Sequence, residues 1–498
     1  RRNDVYQYLV NVYTSKNNYE KALASLDKIP NKDVKLKTAY QLVAFNQGVD
    51  NYQKSNFKGA INSFDLVKRY PVDTKLSGKA AYWTADANFR LSNYDIAIKE
   101  YQDFIAMPAT MSPGLKQEAE YNIGYCYVKK GEEKDDNKIE ATKAIEAFRS
   151  YLQSNPPEKR KRADANMRIA DANYVMKKNV EAINNYQEVI NLNAGFEDQA
   201  LYFMSRCYGF EGNSSKRISN LLDLINNYKK SDYMIRAIFD VAESYKSDTR
   251  FDKARQYYQQ IVTDYPSSNL VMDSKINIAD IDAKQGKHAQ SEQGYKAVMT
   301  EYGADQKVCE RVAEGLKELY LLMNEPERVV ALATQYPCFK LDLNEQENLY
   351  YIPATQAYLD SSLSDAQRYA NAIPKFEKYL SQFPNGRYAN EAKNYLADCH
   401  YNSNNVELAI QLYRETLEGP NSPQFTENAA ILVSKHLFNN GKYSEAIPYY
   451  NRVETVSSSP EVQYNARINL MRSYFLTENW ASASQYADKV LASSQVSQ

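Results

Sequence analysis

Apolar positions along this chain recur at helical spacing, and they come in pairs. An alanine is followed four residues later by an aromatic ring at Ala60 and Phe64, Ala97 and Tyr101, Ala144 and Phe148, and Ala182 and Tyr186. The pairing returns at Ala254 and Tyr258, Ala372 and Phe376, Ala409 and Tyr413, and Ala446 and Tyr450. Residues four apart share one helix face, so each pair predicts a buried stripe with a small and a large end. Twelve residues before the alanine lies another small residue, as at Gly48, Ala85, Ala170, Ala242, Ala397 and Ser434. It predicts a preceding helix whose backbone comes close. Prolines eleven or twelve residues after the alanine (Pro71, Pro108, Pro156, Pro266, Pro384) end the second helix. Polar triplets such as Lys54-Ser55-Asn56 and Asn440-Gly441-Lys442 join the two. No window alternates as a strand does.

The pairs are periodic. Ala372, Ala409, Ala446 and Ala483 are spaced by 37 residues each. Upstream, the slot runs through Ala60, Ala97, Ala144, Ala182, Arg217, Ala254 and Ser291 at intervals of 37, 47, 38, 35, 37 and 37. Such a period means stacked supersecondary units, about thirteen of them, in which each touches only its neighbours. The expected fold is all-α, a right-handed superhelix of helical hairpins, and it favours binding over catalysis. Residues 1–303 and 344–498 form the better-conforming arrays. Residues 304–343, where Asp305 to Cys338 lacks the alanine–aromatic pair, form a degenerate unit and an expected seam. The interval of 47 marks an insertion, Lys129 to Glu140 (KKGEEKDDNKIE), which reads as a solvated surface loop or helix extension, or as a docking loop.

The small residue, the alanine, the second aromatic and the proline together resemble the tetratricopeptide repeat over nearly the whole chain. The departures are the longer period, tyrosines where the family usually has tryptophan, and the blurred unit. Exits such as Thr263 to Asn269 (TDYPSSN) and Gln382 to Tyr388 (QFPNGRY) are similar to periplasmic, outer-membrane-associated members, among them the TolA-binding protein and BamD. Heavy use of Tyr, Asn and Lys is similar to chains from Bacteroidota.

Composition narrows the field only slightly. Across 498 residues, 43% hydrophobic and 25% charged is ordinary for a soluble protein, and a net charge of −1 argues against nucleic-acid binding driven by counterion release. No apolar run is long enough for a transmembrane helix. The chain opens on Arg1 rather than methionine, and further repeats upstream are expected. Five cysteines, odd in number and widely spaced, give no disulfide framework; Cys126, Cys207 and Cys399 share one repeat slot and read as small buried filler. Of the three histidines, His400 and His436 lie in neighbouring units, but too few ligands share a face to make a metal site. Phosphate-binding loops and nucleophile elbows are missing. The basic run Glu158 to Arg162 reads as a solvated helix start, or as a dock for an acidic partner or lipid headgroups. No catalytic residue and no cofactor is expected.

The 43 tyrosines hold more information. In the proteins this chain resembles, one face of the first helix lines a concave groove that holds peptides. Carried over by position, the groove takes Phe45, Tyr82, Tyr121, Tyr202 and Phe239, three residues before the small slot. It also takes the residue after that slot: Asp86, Tyr125, Asp171 and Arg206, then Glu243, Asp280, Asp398, Lys435 and Arg472. The row is aromatic and acidic as far as Asp280 and basic at Lys435 and Arg472. Tyrosine suits interfaces, but the same rings could seal neighbouring helices. The lysine and asparagine pairs by which chaperone-binding members grip a C-terminal carboxylate do not occur at matching slots. The expected function is a non-catalytic scaffold for protein partners, periplasmic and possibly outer-membrane-associated, within a cell-envelope assembly. The alternatives are a cytoplasmic peptide-binding adaptor and the recognition arm of a larger enzyme.

Overall fold

The computed structural model describes residues 18–107, 113–133, 138–419 and 422–494, with positions 8, 11, 12, 14 and 15 before them. Pro108 and residues 134–137 of the charged insertion lie outside the described residues. Among the described residues there are 25 α-helices and no strand. The chain divides into two compact units, Arg1–Gly286 and Lys287–Gln498.

The first unit holds α1 (Tyr19–Asp27), α2 (Val34–Gln53), α3 (Phe57–Val67), α4 (Thr74–Arg90), α5 (Tyr94–Ala106), α6 (Pro113–Glu132) and α7 (Lys138–Gln153). It continues with α8 (Lys159–Val175), α9 (Asn179–Leu192), α10 (Glu197–Phe210), α11 (Ser214–Asn227), α12 (Met234–Ser247), α13 (Phe251–Asp264) and α14 (Leu270–Lys284). The second unit holds α15 (His288–Tyr302), α16 (Gln306–Leu322), α17 (Pro326–Gln335), α18 (Leu343–Leu359), α19 (Asp365–Gln382) and α20 (Ala389–Asn402). It ends with α21 (Val406–Leu417), α22 (Pro423–Asn439), α23 (Tyr443–Val456), α24 (Pro460–Leu476) and α25 (Trp480–Ser494). Within each unit consecutive helices pack against one another as hairpins, and the irregular stretch 304–343 lies inside the second unit.

The periodic pairs form the core. Ala60, Ala97, Ala182, Ala254, Ala372 and Ala409 are wholly buried, as are the rings of Phe64, Tyr101, Tyr186, Tyr258 and Phe376. The ring shares a buried cluster with the small residue on the first helix of its hairpin at Tyr101 and Ala85, Tyr186 and Ala170, and Tyr258 and Ala242. Where that residue is glycine the fit is closest: a Cβ on Gly48 would stand 2.4 Å from Phe64 Cε1, and one on Gly124 2.7 Å from the Phe148 ring. Buried Cys126, Cys207 and Cys399 fill gaps beside this contact, and burial pushes all three thiols up to about 12, so they stay protonated and inert.

The turn inside each hairpin is also periodic. The second residue after the first helix takes a left-handed backbone at Ser55, Ser92, Lys177, Thr249, Asn404 and Glu478, with φ between 57° and 66°. The next N–H then reaches back across the helix end, as Arg250 N does to the Tyr245 carbonyl at 2.8 Å, forming a Schellman cap. Only some of these positions carry the glycine or asparagine that this geometry prefers.

The hairpin α16–α17 departs from the pattern. Its alanine slot, 37 residues after Ser291, holds Arg328, and Leu332 replaces the ring. Arg217 and Leu221 make the same substitution in α11. An arginine cannot be buried as alanine is. Arg328 instead lies 4.1 Å over the Tyr320 ring and pairs with Glu325 at 2.7 Å and with Glu292. One expectation is corrected here: Cys309 and Cys338 form a disulfide, with Cα atoms 6.1 Å apart. The odd cysteine count hid it, because three of the five thiols belong to the repeat and only two are left to pair.

Two stability outcomes follow. Gly48→Ala gains helix propensity of about 1 kcal/mol, but the Phe64 ring beside it is fully buried and cannot withdraw. We expect a net loss of about 1–3 kcal/mol in a urea melt, and a neutral or stabilised variant contradicts the packing described. Thr249→Gly relieves a β-branched residue from the left-handed region and should gain about 1 kcal/mol in the same assay.

Candidate partner-binding site

The rings expected to line a groove are placed largely inside the hairpins. Tyr82, Tyr202 and Phe239 are buried, while Phe45 and Tyr121 are half-buried. Each of four meets the large end of a core pair at nearly one distance: Phe45 to Phe64, Tyr82 to Tyr101 and Tyr121 to Phe148 at 5.7 Å, and Phe239 to Tyr258 at 5.5 Å. Tyr202, whose hairpin has leucine in that place, stacks on Tyr233 at 4.8 Å.

The second row, one residue after the small slot, is a ladder. Tyr101 donates to Asp86 at 3.1 Å and Tyr186 to Asp171 at 2.9 Å, while Tyr258 donates to Glu243. A second rung comes from the preceding first helix. The Tyr52 hydroxyl donates to Asp86, Lys246 pairs with Asp280 at 2.8 Å, and the Tyr358 hydroxyl donates to Asp398. Two of these rungs span 34 residues, one repeat of 37 less one turn of helix. Tyr125 joins Tyr121 in donating to Asp164, at 2.5 and 2.6 Å. Burial, then the neighbouring carboxylate, pushes the phenols of Tyr52 and Tyr125 up to about 12 and that of Tyr121 higher still. They therefore remain donors at any physiological pH. Burial also pushes the Asp171 carboxyl up, against Arg168 and Tyr186, which hold it down.

The cations of the row are different. Arg206, Lys435 and Arg472 are exposed. Arg206 lies 5.5 Å over Tyr174 and Arg472 5.4 Å over Phe438, the cation–π version of the same rung. Lys435 and Arg472 pair with no carboxylate among the described residues. Arg472 also lines a pocket of about 520 Å³ with Phe475 and Trp480, two rings 57% and 58% exposed and 5.1 Å apart.

A larger cleft, missed by the sequence reading, opens at the irregular hairpin. It encloses about 1410 Å³ between α16, α18 and α19. Helix α17, with 10 residues against 12 to 18 in the other second helices of this unit, is too short to fill the space. The disulfide ties the chain after α17 to the start of α16, and Glu292 ties the two to α15. Burial pushes the Glu292 carboxyl up, but hydrogen bonds from Lys296, Arg328 and Tyr320 outweigh it and hold the group at about 2. The lost aromatic pair was the sequence signal for irregularity. It could not say that a cleft results.

No three His, Cys, Asp or Glu side chains converge among the described residues. His436 Nε2 lies 2.9 Å from the Asn440 amide and 3.6 Å from Glu407. No helix among the described residues is long and apolar enough to cross a membrane.

Comparison with known proteins agrees with the repeat. A tetratricopeptide-repeat model matches residues 236–268, and the model for the anaphase-promoting complex, cyclosome, subunit 3 matches residues 365–453. The chain thus carries a tetratricopeptide repeat at residues 236–268, within an α-helical repeat solenoid. Among solved structures it is similar to a tetratricopeptide-repeat protein from Parabacteroides merdae, at 16% identity over 59% of this chain and 98% of that one, with a TM-score of 0.36. It is also similar to the C-terminal part of a repeat-containing protein from Cytophaga hutchinsonii, at 15% identity over 54% and 98%, with a TM-score of 0.40. A third likeness, to the structure of Naa15/Naa10 bound to HypK-THB, covers 91% of this chain and 67% of that one at 14% identity and a TM-score of 0.41. No curated protein sequence matches significantly.

The Glu292 cluster gives a pH dependence. A carboxylate held at about 2 in the fold, against an ordinary value of 4.5, stabilises the native state above pH ~4.5. That contribution is lost as the pH falls toward 2, and its upper bound is about 3 kcal/mol. Stability should therefore fall more steeply between pH 5 and 2.5 in the wild type than in Glu292→Gln. Parallel denaturation curves for the two proteins across that range would remove Glu292 as the cause.

Proposed function

We propose that the protein is a non-catalytic scaffold that holds segments of partner proteins along the exposed edge of its first helices, in a bacterial cell-envelope assembly outside the cytoplasm. The observation that carries the binding site is the exposed basic end of the row. Among the described residues Lys435 and Arg472 have no acid to neutralise them, and Arg472 adjoins the open Phe475–Trp480 pocket. Most of the acidic and aromatic row is occupied in joining repeats, so partner contact falls on this end of the second unit, while Arg206, Tyr125 and the half-buried edges of Asp171 and Asp280 offer separate contacts on the first unit. A partner segment with an apolar or aromatic side chain beside a carboxylate fits it. The compartment is supported by the Cys309–Cys338 pair, since disulfides persist in oxidising compartments and are rare in the cytosol.

A photo-crosslinking residue in place of Phe475, in the native host, should capture a protein partner. Lys435→Glu combined with Arg472→Glu should reduce capture at least tenfold, about 1–2 kcal/mol per charge, while circular dichroism stays unchanged. Undiminished capture by the folded double variant removes this end of the row as the site. Thiol labelling of intact cells should find Cys309 and Cys338 blocked until reductant is added. Free thiols there would overturn the envelope reading in favour of the cytoplasmic adaptor.

A further inference from the structure

An arginine stands in the alanine slot of two hairpins, and the chain around each treats it differently. Arg328 has three partners at fixed places in the repeat. Glu292 follows the preceding slot, Glu325 lies three residues before the arginine, and Tyr320 lies eight before it. At Arg217 the same three places hold Ile183, Ser214 and Gly209, none of which offers a carboxylate or a ring. Among the described residues Arg217 makes no ion pair and no side-chain hydrogen bond, and its Nε is buried without an acceptor. A half-buried guanidinium with no partner costs free energy that the alanine usual at this slot would not.

Gly209 sets the course of the side chain. A Cβ there would stand 3.2 Å from Arg217 Cδ and Nη1, so the arginine lies across the first helix at the place of Tyr52, Tyr174, Lys246 and Phe438 in other repeats. Those residues make the rungs to the next first helix. Arg217 thus brings a cation into the row from the second helix of its hairpin. Beside it, burial pushes the Asp240 carboxyl up, whereas Arg236, Arg217, a hydrogen bond from Tyr202, and Arg206 hold it down. Only Arg236 is paired with that carboxylate, at 3.2 Å from Nε to Oδ1. The acidic residues at the same end of these first helices already have donors: Asp171 has Arg168 and Tyr186, Glu243 has Tyr258, Asp248 has Ser214 and Glu211 has Asn179. Arg206 and Arg217 are left with no carboxylate of their own among the described residues.

We propose that Arg217 and Arg206 form an anion-reading edge on the first unit that takes acidic side chains of an extended segment of a partner protein. The inference rests on the reading of the chain as a scaffold, but not on the basic end of the second unit. A guanidinium meets a carboxylate through paired N–H donors in a fixed plane, so two of them select acidic side chains over neutral ones. Arg206 is exposed and Arg217 half-buried, which makes the site an open edge for a chain to run along rather than a cavity enclosing a small ion. Arg206 attracts the segment, and Arg217, laid over Gly209, fixes where it binds.

The test uses the full chain carrying Lys435→Glu and Arg472→Glu, so that the basic end of the second unit contributes nothing. The probe is a fluorescein-labelled peptide of alternating Glu and Ser, with a Gln and Ser peptide as its neutral counterpart. By fluorescence anisotropy at low ionic strength the acidic peptide should bind saturably and the neutral one should not. Arg217→Ala installs the residue usual at this slot, so it should weaken binding at least tenfold while the urea midpoint stays the same or rises. Arg206→Gln should also weaken binding at least tenfold. Arg328→Ala should do the reverse, lowering the midpoint because Glu292 loses a partner and keeping the affinity for the acidic peptide. The two peptides binding alike, no saturable binding, binding that survives Arg217→Ala, equal loss in Arg328→Ala, or a lowered midpoint in Arg217→Ala would each overturn the proposal. Displacement of the peptide by an equal concentration of inorganic phosphate would overturn it too, since the site would then take a phosphoryl group. None of these outcomes bears on the basic end of the second unit, whose own test is capture at Phe475.

Discussion

The contact between one small residue and one aromatic ring governs this structure. Two antiparallel helices can approach only as closely as their facing side chains permit, and here a ring from the second helix lies on a glycine, alanine or serine of the first. Phe64 on Gly48 and Phe148 on Gly124 leave no room for even a methyl group. Once that distance is set, the row three residues earlier falls onto the same ring, which is why Phe45, Tyr82, Tyr121 and Phe239 all sit 5.5 to 5.7 Å from their partners. The next row falls between repeats. Because each unit repeats the offset, whatever occupies those positions meets its counterpart one period on, less a turn.

That geometry explains why different chemistries fill one slot. Tyr52 with Asp86, Lys246 with Asp280 and Phe438 with Arg472 are a phenol on a carboxylate, an ion pair and a cation over a ring. All three join large, partly polar groups that must be satisfied when half-buried. The slot selects for a complementary pair rather than for a residue type, so a single chain shows the period without showing the pairing. The hairpins, their core pairs and the polar turns were legible in the sequence, since a spacing of four on a helix has one physical meaning. The row of Asp86, Asp171 and Asp280 was legible as a row. Its partners were not, because they come from residues 15 and 34 positions away, on other helices.

The same reasoning accounts for the irregular hairpin. Arg328 in the alanine slot cannot enter the core, and Leu332 lacks the reach of a ring, so the contact that sets helix separation is missing. Polar and covalent ties take its place: the carboxylate of Glu292 beneath Arg328 and Tyr320, and the bond between Cys309 and Cys338. Both were hidden in the sequence. An arginine on a helix reads as a solvent-facing residue, and two cysteines 29 residues apart read as unrelated until the short α17 brings them together.

Ties of this kind hold elements in place without filling the volume between them. A ring on an alanine excludes space as it binds, whereas an ion pair and a disulfide fix distances at the periphery and leave the middle empty. A cleft at this hairpin is therefore a consequence of exchanging one kind of cohesion for the other, and its walls are the faces that a regular repeat would have buried. Leu321, Leu322 and Ile352 remain apolar although the ring that would have covered such a face is gone. Fully burying such a side chain is worth about 1.5–3 kcal/mol, and these three, 37% to 62% exposed, forgo part of it. With the three of them around one concavity, that burial stays unrealised within the chain, because the ties that hold the hairpin together act at its periphery.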